Sequence, residues 1–241
     1  MSTVGRMERW DMNQMPAFSN PSQAAQPGDQ ASASLLVPAI DSWPQFDPPL
    51  RLGVMASGEG TNLEALAQAC SQGLLQAQLL RLVVNKADCG AQARADRLGI
   101  PWVLHDHRRF ATREDLDRAL VASFQADAVE AVVMAGWMRI VTKVLIEAYP
   151  QRLINLHPSL LPSFRGLDAV GQALAAGVPI SGCSAHLVCE DVDSGPLLAQ
   201  AAVPVLSGDD PARLAARIRE QEHRLLPWAV ALAAQRWRAQ G

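Results

Sequence analysis

Long apolar runs are missing from this sequence. No stretch approaches the roughly 18 uninterrupted apolar residues that suggest a membrane-spanning helix. Lysine is scarce as well. Lys86 and Lys143 are the only two, so arginine carries nearly all the positive charge. With a net charge of -3 over 241 residues and a pI near 5.9, the chain has no basic footprint for nucleic acid. Tyr149 is the only tyrosine. The four cysteines, Cys70, Cys89, Cys183 and Cys189, form no C-x-x-C pair. A structural zinc site is therefore not indicated, and reduced thiols packed as small apolar groups are expected. Arg6, Glu8, Arg9 and Asp11 stand where a secretory signal needs an apolar core. The expectation is a soluble, cytoplasmic protein with no membrane or nucleic-acid partner.

What is present divides at about residue 49. Residues 1–49 are rich in Met, Ser, Gln, Ala and Pro and show no sustained period. They read as a disordered or loosely docked extension, in which Trp10, Trp43 and Phe46 could pack on the body and Leu35–Ile40 could form a brief strand. Residues 50–241 alternate strand and helix patterns. Expected strands are Leu52–Ala56, Leu79–Val84, Trp102–His105, Ala131–Ala135, Leu153–Leu156, Ser184–Val188 and Leu198–Val203. Expected helices are Asn62–Gln72, Ala91–Leu98, Arg113–Phe124, Thr142–Ala148, Ala169–Ala176 and Ala212–Ala234. The wholly apolar run Ala131–Ala135 suits a strand buried on both faces. This alternation predicts an α/β fold: one open, mostly parallel, twisted sheet flanked by helices. Ligands of such sheets bind beyond the carboxyl ends of the strands.

Three segments fall at such ends. The first is Ile154-Asn155-Leu156-His157-Pro158-Ser159-Leu160-Leu161-Pro162. Residues i and i+2 of a strand share a face, so Asn155 and His157 project together. An amide can donate to a developing oxyanion, and an imidazole can move a proton near neutral pH. The second is Ser57-Gly58-Glu59-Gly60-Thr61-Asn62-Leu63, a Gly-rich turn into a helix opened by Thr61 or Asn62. It lacks the Gly-Lys-Ser/Thr of a P-loop and the third glycine of a dinucleotide loop. A cradle for a single phosphate and a plain strand-to-helix turn both fit it. The third is Gly136-Trp137-Met138-Arg139-Ile140, where Trp137, Met138 and Ile140 could form a slot for a flat heterocycle or ordinary core. Two further clusters stand out. His186 precedes the acidic turn Glu190-Asp191-Val192-Asp193-Ser194-Gly195-Pro196, and Arg219, Glu222 and His223 share a helix face. The acids could orient His157 or a water, but acids before Ser-Gly-Pro are ordinary turn residues. His186 is as readily a core histidine as a functional one. The helix face is either solvated or a grip on a polar substrate, and no ligand pair has helical or hairpin metal spacing.

Taken together, these blocks resemble the glycinamide ribonucleotide (phosphoribosylglycinamide) formyltransferase family. The resemblance also takes in Asn85-Lys86-Ala87-Asp88 and Gln221-Glu222-His223, and runs from about Leu52 to Ala234. It implies a folate-dependent enzyme of de novo purine (IMP) biosynthesis. Such an enzyme transfers the formyl group of 10-formyltetrahydrofolate to the amine of glycinamide ribonucleotide through a tetrahedral intermediate. It also implies a catalytic set of Asn155, His157 and Asp193, and a substrate site at Gly60, Thr61, Asn62 and Glu222. Folate contacts carry over to Arg113, Met138, Arg139, Ile140 and Val141, with His186 and Arg219 as accessory residues. No metal is required, and the partners are the two small-molecule substrates.

The chain departs from the family at Asp168, where many members have histidine, and at Ser184-Ala185-His186, where they often have Ser-Val-His or Thr-Val-His. Related activities fit the chain less well. A formyltetrahydrofolate deformylase carries an N-terminal regulatory domain, for which 49 irregular residues are too few. A methionyl-tRNA formyltransferase adds a basic C-terminal domain. A non-catalytic folate- or nucleotide-binding protein would have no need of the intact Asn155, His157 and Asp193.

Overall fold

The most apolar segments of the chain become the centre of one sheet. The structure, a computed structural model, describes residues 34–239. Its strands are β1 (Leu35–Val37), β2 (Leu50–Ala56), β3 (Ala77–Val84), β4 (Trp102–Leu104), β5 (Ala131–Met134), β6 (Leu153–His157), β7 (Ile180–Leu187) and β8 (Leu197–Pro204). They lie in the order β1-β8-β7-β6-β5-β2-β3-β4. The pairings β2–β3, β3–β4, β2–β5 and β5–β6 are parallel, whereas β6–β7, β7–β8 and β8–β1 are antiparallel. The strand order reverses at β2, which opens a crevice at the carboxyl ends of β2 and β5.

Both faces of the sheet are covered, which explains why β2 and β5 are apolar without alternation. Leu52 and Val54 join Leu63 and Leu66 of α1 (Thr61–Ser71) and Leu225 and Val230 of α6 (Pro211–Ala239) in one core cluster. Met55, one residue out of phase, joins Leu116, Leu120 and Phe124 of α3 (Arg113–Ala126) and Leu145 of α4 (Lys143–Ala148) in a second. At Gly53 the Phe124 ring lies on the backbone, and a Cβ there would sit 2.5 Å from it. The remaining helices are α2 (Gly90–Leu98) and α5 (Ala169–Ala175).

Every expected strand and helix is present, with boundaries moved by local chemistry. Helix α1 starts one residue early because Gly60, in a left-handed conformation, occupies the cap position with no side-chain cap bond. Thr142 is the cap of α4 rather than its first residue, and its hydroxyl accepts from Val144 N–H. Helix α6 begins at Pro211, whose missing N–H costs nothing at a first helical position, and it runs through Pro227 to Ala239. It extends beyond Ala234 because Trp237 stays buried, donating to Gln151 C=O at 3.1 Å, and Arg238 pairs with Glu130 at 3.0 Å.

The described part of the N-terminal extension, residues 34–49, is docked on the body. Strand β1 adds to β8 in the register Leu35↔Ala202. Trp43 meets Trp228 of α6 edge-on at 5.4 Å, and Trp228 Nε1 donates to Pro38 C=O at 2.9 Å. Leu36, Ile40, Trp43 and Phe46 all pack against the first core cluster. The packing of Trp43 and Phe46 and the brief strand within Leu35–Ile40 are thus as the sequence allowed, although the docking groups are few and follow neither helix nor strand period. Trp10 and the rest of residues 1–33 lie outside the described residues.

Candidate active site

Strand β6 carries Asn155 and His157 to the edge of the crevice, where antiparallel β7 sets His186 directly opposite Asn155. The alternation of a strand would leave these polar groups buried and alone, so they bond to one another. Asn155 Nδ2 lies 3.2 Å from His186 Nε2 and 3.4 Å from Asp193 Oδ1. His157 Nδ1 lies 3.3 Å from Asp193 Oδ2, and its Nε2 lies 2.8 Å from Phe164 C=O. His186 Nδ1 donates to Leu187 C=O at 2.9 Å, which leaves Nε2 facing the amide. Asn155 Nδ2 is the donor end of the amide, and the Asp193 carboxylate holds it there. Carbonyl and carboxylate are both acceptors, so a His157 ring with N–H at both nitrogens meets both.

Asp193 is the hub of this cluster. It lies 3.5 Å from His186 Nε2 and accepts from Gly166 N–H at 2.9 Å. Burial raises its carboxyl, but the His186 bond, the Gly166 amide and the two imidazoles outweigh burial and hold it below the usual carboxylate range. Its backbone is left-handed, φ 52°, as are those of Phe164 at 56° and Asp168 at 55°. Non-glycine residues in that region concentrate where surrounding structure over-determines them, often at functional sites.

A cavity of about 700 Å³ opens above these groups. Asn155, His157, His186 and Asp193 form its floor. Arg113 and the loop Met138–Val141 form one wall, with Met138 75 % and Ile140 55 % exposed and free to meet a ligand. Trp137 lines the cavity as well, but it is only 6 % exposed and packs in the second core cluster. The loop is held at both ends. Met138 N–H donates to Ser57 Oγ at 3.0 Å, and Thr142 donates through N–H and hydroxyl to buried Asp117.

Asn62 and Glu222 meet at the other end of the cavity, where Asn62 Nδ2 donates to Glu222 Oε2 at 3.0 Å. Burial pushes the Glu222 carboxyl above its usual range, against the pull of Asn62, Arg219 and His157. Asn62 Oδ1 is buried with no hydrogen-bond partner among the described residues. Gly60, Thr61 and Arg219 do not line the cavity. Gly60 packs against Ala91, and Thr61 faces a separate groove between α1, α6 and Trp43, so only their backbone amides remain to serve a ligand at this end.

Several contributors carry no signal in the sequence. Phe164 acts through its carbonyl and Gly166 through its amide, and neither role depends on side-chain type. Among the described residues no group of three His, Cys, Asp or Glu side chains is arranged to hold a metal ion. No helix among them is long and apolar enough to cross a membrane.

Residues 50–230 match the model of a family described as formyl transferase. The chain belongs to the formyl transferase family. Among its relatives, phosphoribosylglycinamide formyltransferase of Escherichia coli is 37% identical over 181 residues, 75% of this chain and 85% of that protein. A solved structure of glycinamide ribonucleotide transformylase 1 from Symbiobacterium toebii superposes with a TM-score of 0.77 at 41% identity, covering 79% of this chain and 90% of that one. The trifunctional purine biosynthetic protein adenosine-3 of Gallus gallus is 39% identical over 185 residues. The match covers 77% of this chain but only 18% of that longer relative. The family match spans β2 to most of α6, so it includes every side chain of the cavity cluster.

Proposed function

We propose that this formyl transferase moves the formyl group of 10-formyltetrahydrofolate to the amine of glycinamide ribonucleotide, giving formylglycinamide ribonucleotide and tetrahydrofolate. The carrying observation is the convergence of Asn155, His157 and Asp193 in one cavity, within 3.3–3.4 Å of one another through Asp193. Relatives named for this reaction are matched over 85–92% of their own length, which supports the same choice of substrates.

The chemistry follows from the geometry. As the neutral amine attacks the formyl carbon, negative charge grows on the formyl oxygen. Asn155, already oriented as a donor, and the His157 ring stabilise it. The attacking amine loses a proton and the departing folate nitrogen gains one. His157 Nε2, released from the Phe164 carbonyl as the substrates bind, shuttles that proton, while Asp193 fixes the ring through Nδ1. Arg113 and the Met138–Val141 loop hold the folate. The amides of the Gly60–Asn62 loop hold the phosphate, and Glu222 serves the ribose. Residues 50–241 form the catalytic unit, and residues 34–49 brace it. Its small polar substrates and four free cysteines suit a cytoplasmic setting.

The test is release of tetrahydrofolate from 10-formyltetrahydrofolate with and without glycinamide ribonucleotide. Release that depends on the acceptor is expected. Equal release in buffer alone would overturn the reading in favour of a hydrolase.

A further inference from the structure

The loop ahead of α1 is gripped from behind by α2. Ala91 N–H donates to Gly58 C=O at 3.0 Å, and Arg94 Nε donates to Glu59 C=O at 2.7 Å. Arg94 also forms an ion pair with Glu64 in the first turn of α1, and Arg97 reaches the same carboxylate at 2.6 Å. A trans peptide sets its C=O and N–H on opposite sides. With the Gly58 and Glu59 carbonyls turned toward α2, the N–H groups of Glu59 and Gly60 are turned away from it.

The next residues along the chain continue that alignment. Gly60 is left-handed, φ 76° and ψ 22°, and the helix begins immediately after it. A left-handed residue followed by right-handed ones points successive N–H groups into a concavity that suits an anion. The first helical bond of α1 runs from Glu64 N–H to Gly60 C=O, so the amides of Thr61, Asn62 and Leu63 precede the helical ladder. The buried, unpartnered Oδ1 of Asn62 stands at the same turn; as an acceptor it suits a hydroxyl of the guest rather than its phosphate.

We propose that Arg94 is a positioning residue for the acceptor's phosphate: it fixes the Glu59 carbonyl, and through that peptide the Gly60 amide, without touching the ligand. This rests on the acceptor assigned above. Arg94 does not line the cavity, and its guanidinium is partly exposed on the far side of the loop. A plain brace between α1 and α2 would use the same ion pair with Glu64, but it would serve both substrates and the fold alike. Positioning one amide serves only the phosphate.

The experiment compares two acceptors, glycinamide ribonucleotide and glycinamide riboside, which lacks the phosphate. Wild type, Arg94→Met, Arg94→Lys and Glu64→Gln are assayed with each, alongside KM for 10-formyltetrahydrofolate and the thermal midpoint. For Arg94→Met, kcat/KM with the ribonucleotide should fall about 10- to 100-fold, while the riboside and the folate KM stay within about two-fold. Arg94→Lys should recover part of the loss, since a lysine ammonium can reach one acceptor but lacks the rigid fork. Glu64→Gln should leave the ribonucleotide-to-riboside ratio unchanged. Equal losses with both acceptors, or an unchanged ratio in Arg94→Met, would overturn the inference. If Arg94→Met does not fold, the same ratio is read on Arg94→Lys, and a wild-type ratio there overturns it. A wild-type enzyme indifferent to the phosphate would instead overturn the acceptor assignment itself, before any variant is considered.

Discussion

His157 is 6 % exposed, and its two ring nitrogens face acceptors, Asp193 and the Phe164 carbonyl. Replacing it with alanine should lower kcat by roughly 10²–10⁴, the span for a positioned acid–base group. Asn155→Ala should cost about 10²–10³, as for one oxyanion donor. Because both side chains share Asp193, the double variant should lose less than the product of the single losses. Steady-state kinetics on the three proteins decide this, and near-normal kcat in His157→Ala would remove the residue from the chemistry. Asp193 adds a pH signature. Its folded-state carboxyl lies below the ordinary range, so the stability it contributes is present above the unfolded value of about 3.9 and is lost as pH falls through the lower folded value. Asp193→Asn should therefore narrow its stability gap to wild type in acid, measured by denaturant midpoints from pH 7 downward. A gap that widens toward low pH would contradict the cause given for the shift.

At the scale of elements, the arm and the loops carry the unexpected behaviour. Irregular composition predicts a disordered or loosely docked extension over residues 1–49, of which residues 34–49 contribute a strand and an aromatic contact. Trp43→Ala should destabilise the fold by about 1–3 kcal/mol, the range for exposing part of a large apolar side chain. It should leave kcat within about two-fold, because Trp43 sits in a groove apart from the catalytic cavity. Thermal and denaturant unfolding alongside turnover would show whether the arm braces α6 only. Gly53→Ala is the counterpart in the core. Its added methyl would press on Phe124, and about 1–3 kcal/mol should be lost to overpacking. Gly60 is a poorer probe of the proposed phosphate contact than its position suggests. Any Cβ there meets the Ala91 backbone at 2.6 Å, so a substitution disturbs α2 along with the loop.

For the whole molecule, the cavity lies where a reversing strand order, an antiparallel hairpin and the long helix α6 come together. Ligands that bind only this assembled state should stabilise it by mass action. Tetrahydrofolate at about 100 times its Kd should add about 2.7 kcal/mol to unfolding. The gain should persist in His157→Ala, where binding and chemistry part company. Loss of the gain in that variant would mean that His157 holds the fold of the site rather than moving a proton.

Local patterning is enough for the layered α/β plan, because strands buried on both faces must be apolar throughout and helices must present a stripe at their own period. It also located Asn155 and His157 on one strand face, since a period of two requires it. The match of six ordered blocks to the formyl transferase family was legible for the same local reason: each block is a short stretch whose chemistry depends on side-chain identity. It takes the folded chain to show that His186, opposite Asn155 across β6 and β7, joins Asp193 around the amide. The same holds for the backbone groups of Phe164 and Gly166 at the site, and for the fastening of residues 34–49 to α6. The His186 and arm contacts depend on strand register and chain reversal, which bring together residues 31 to 190 positions apart, and no local period in the chain records such distances.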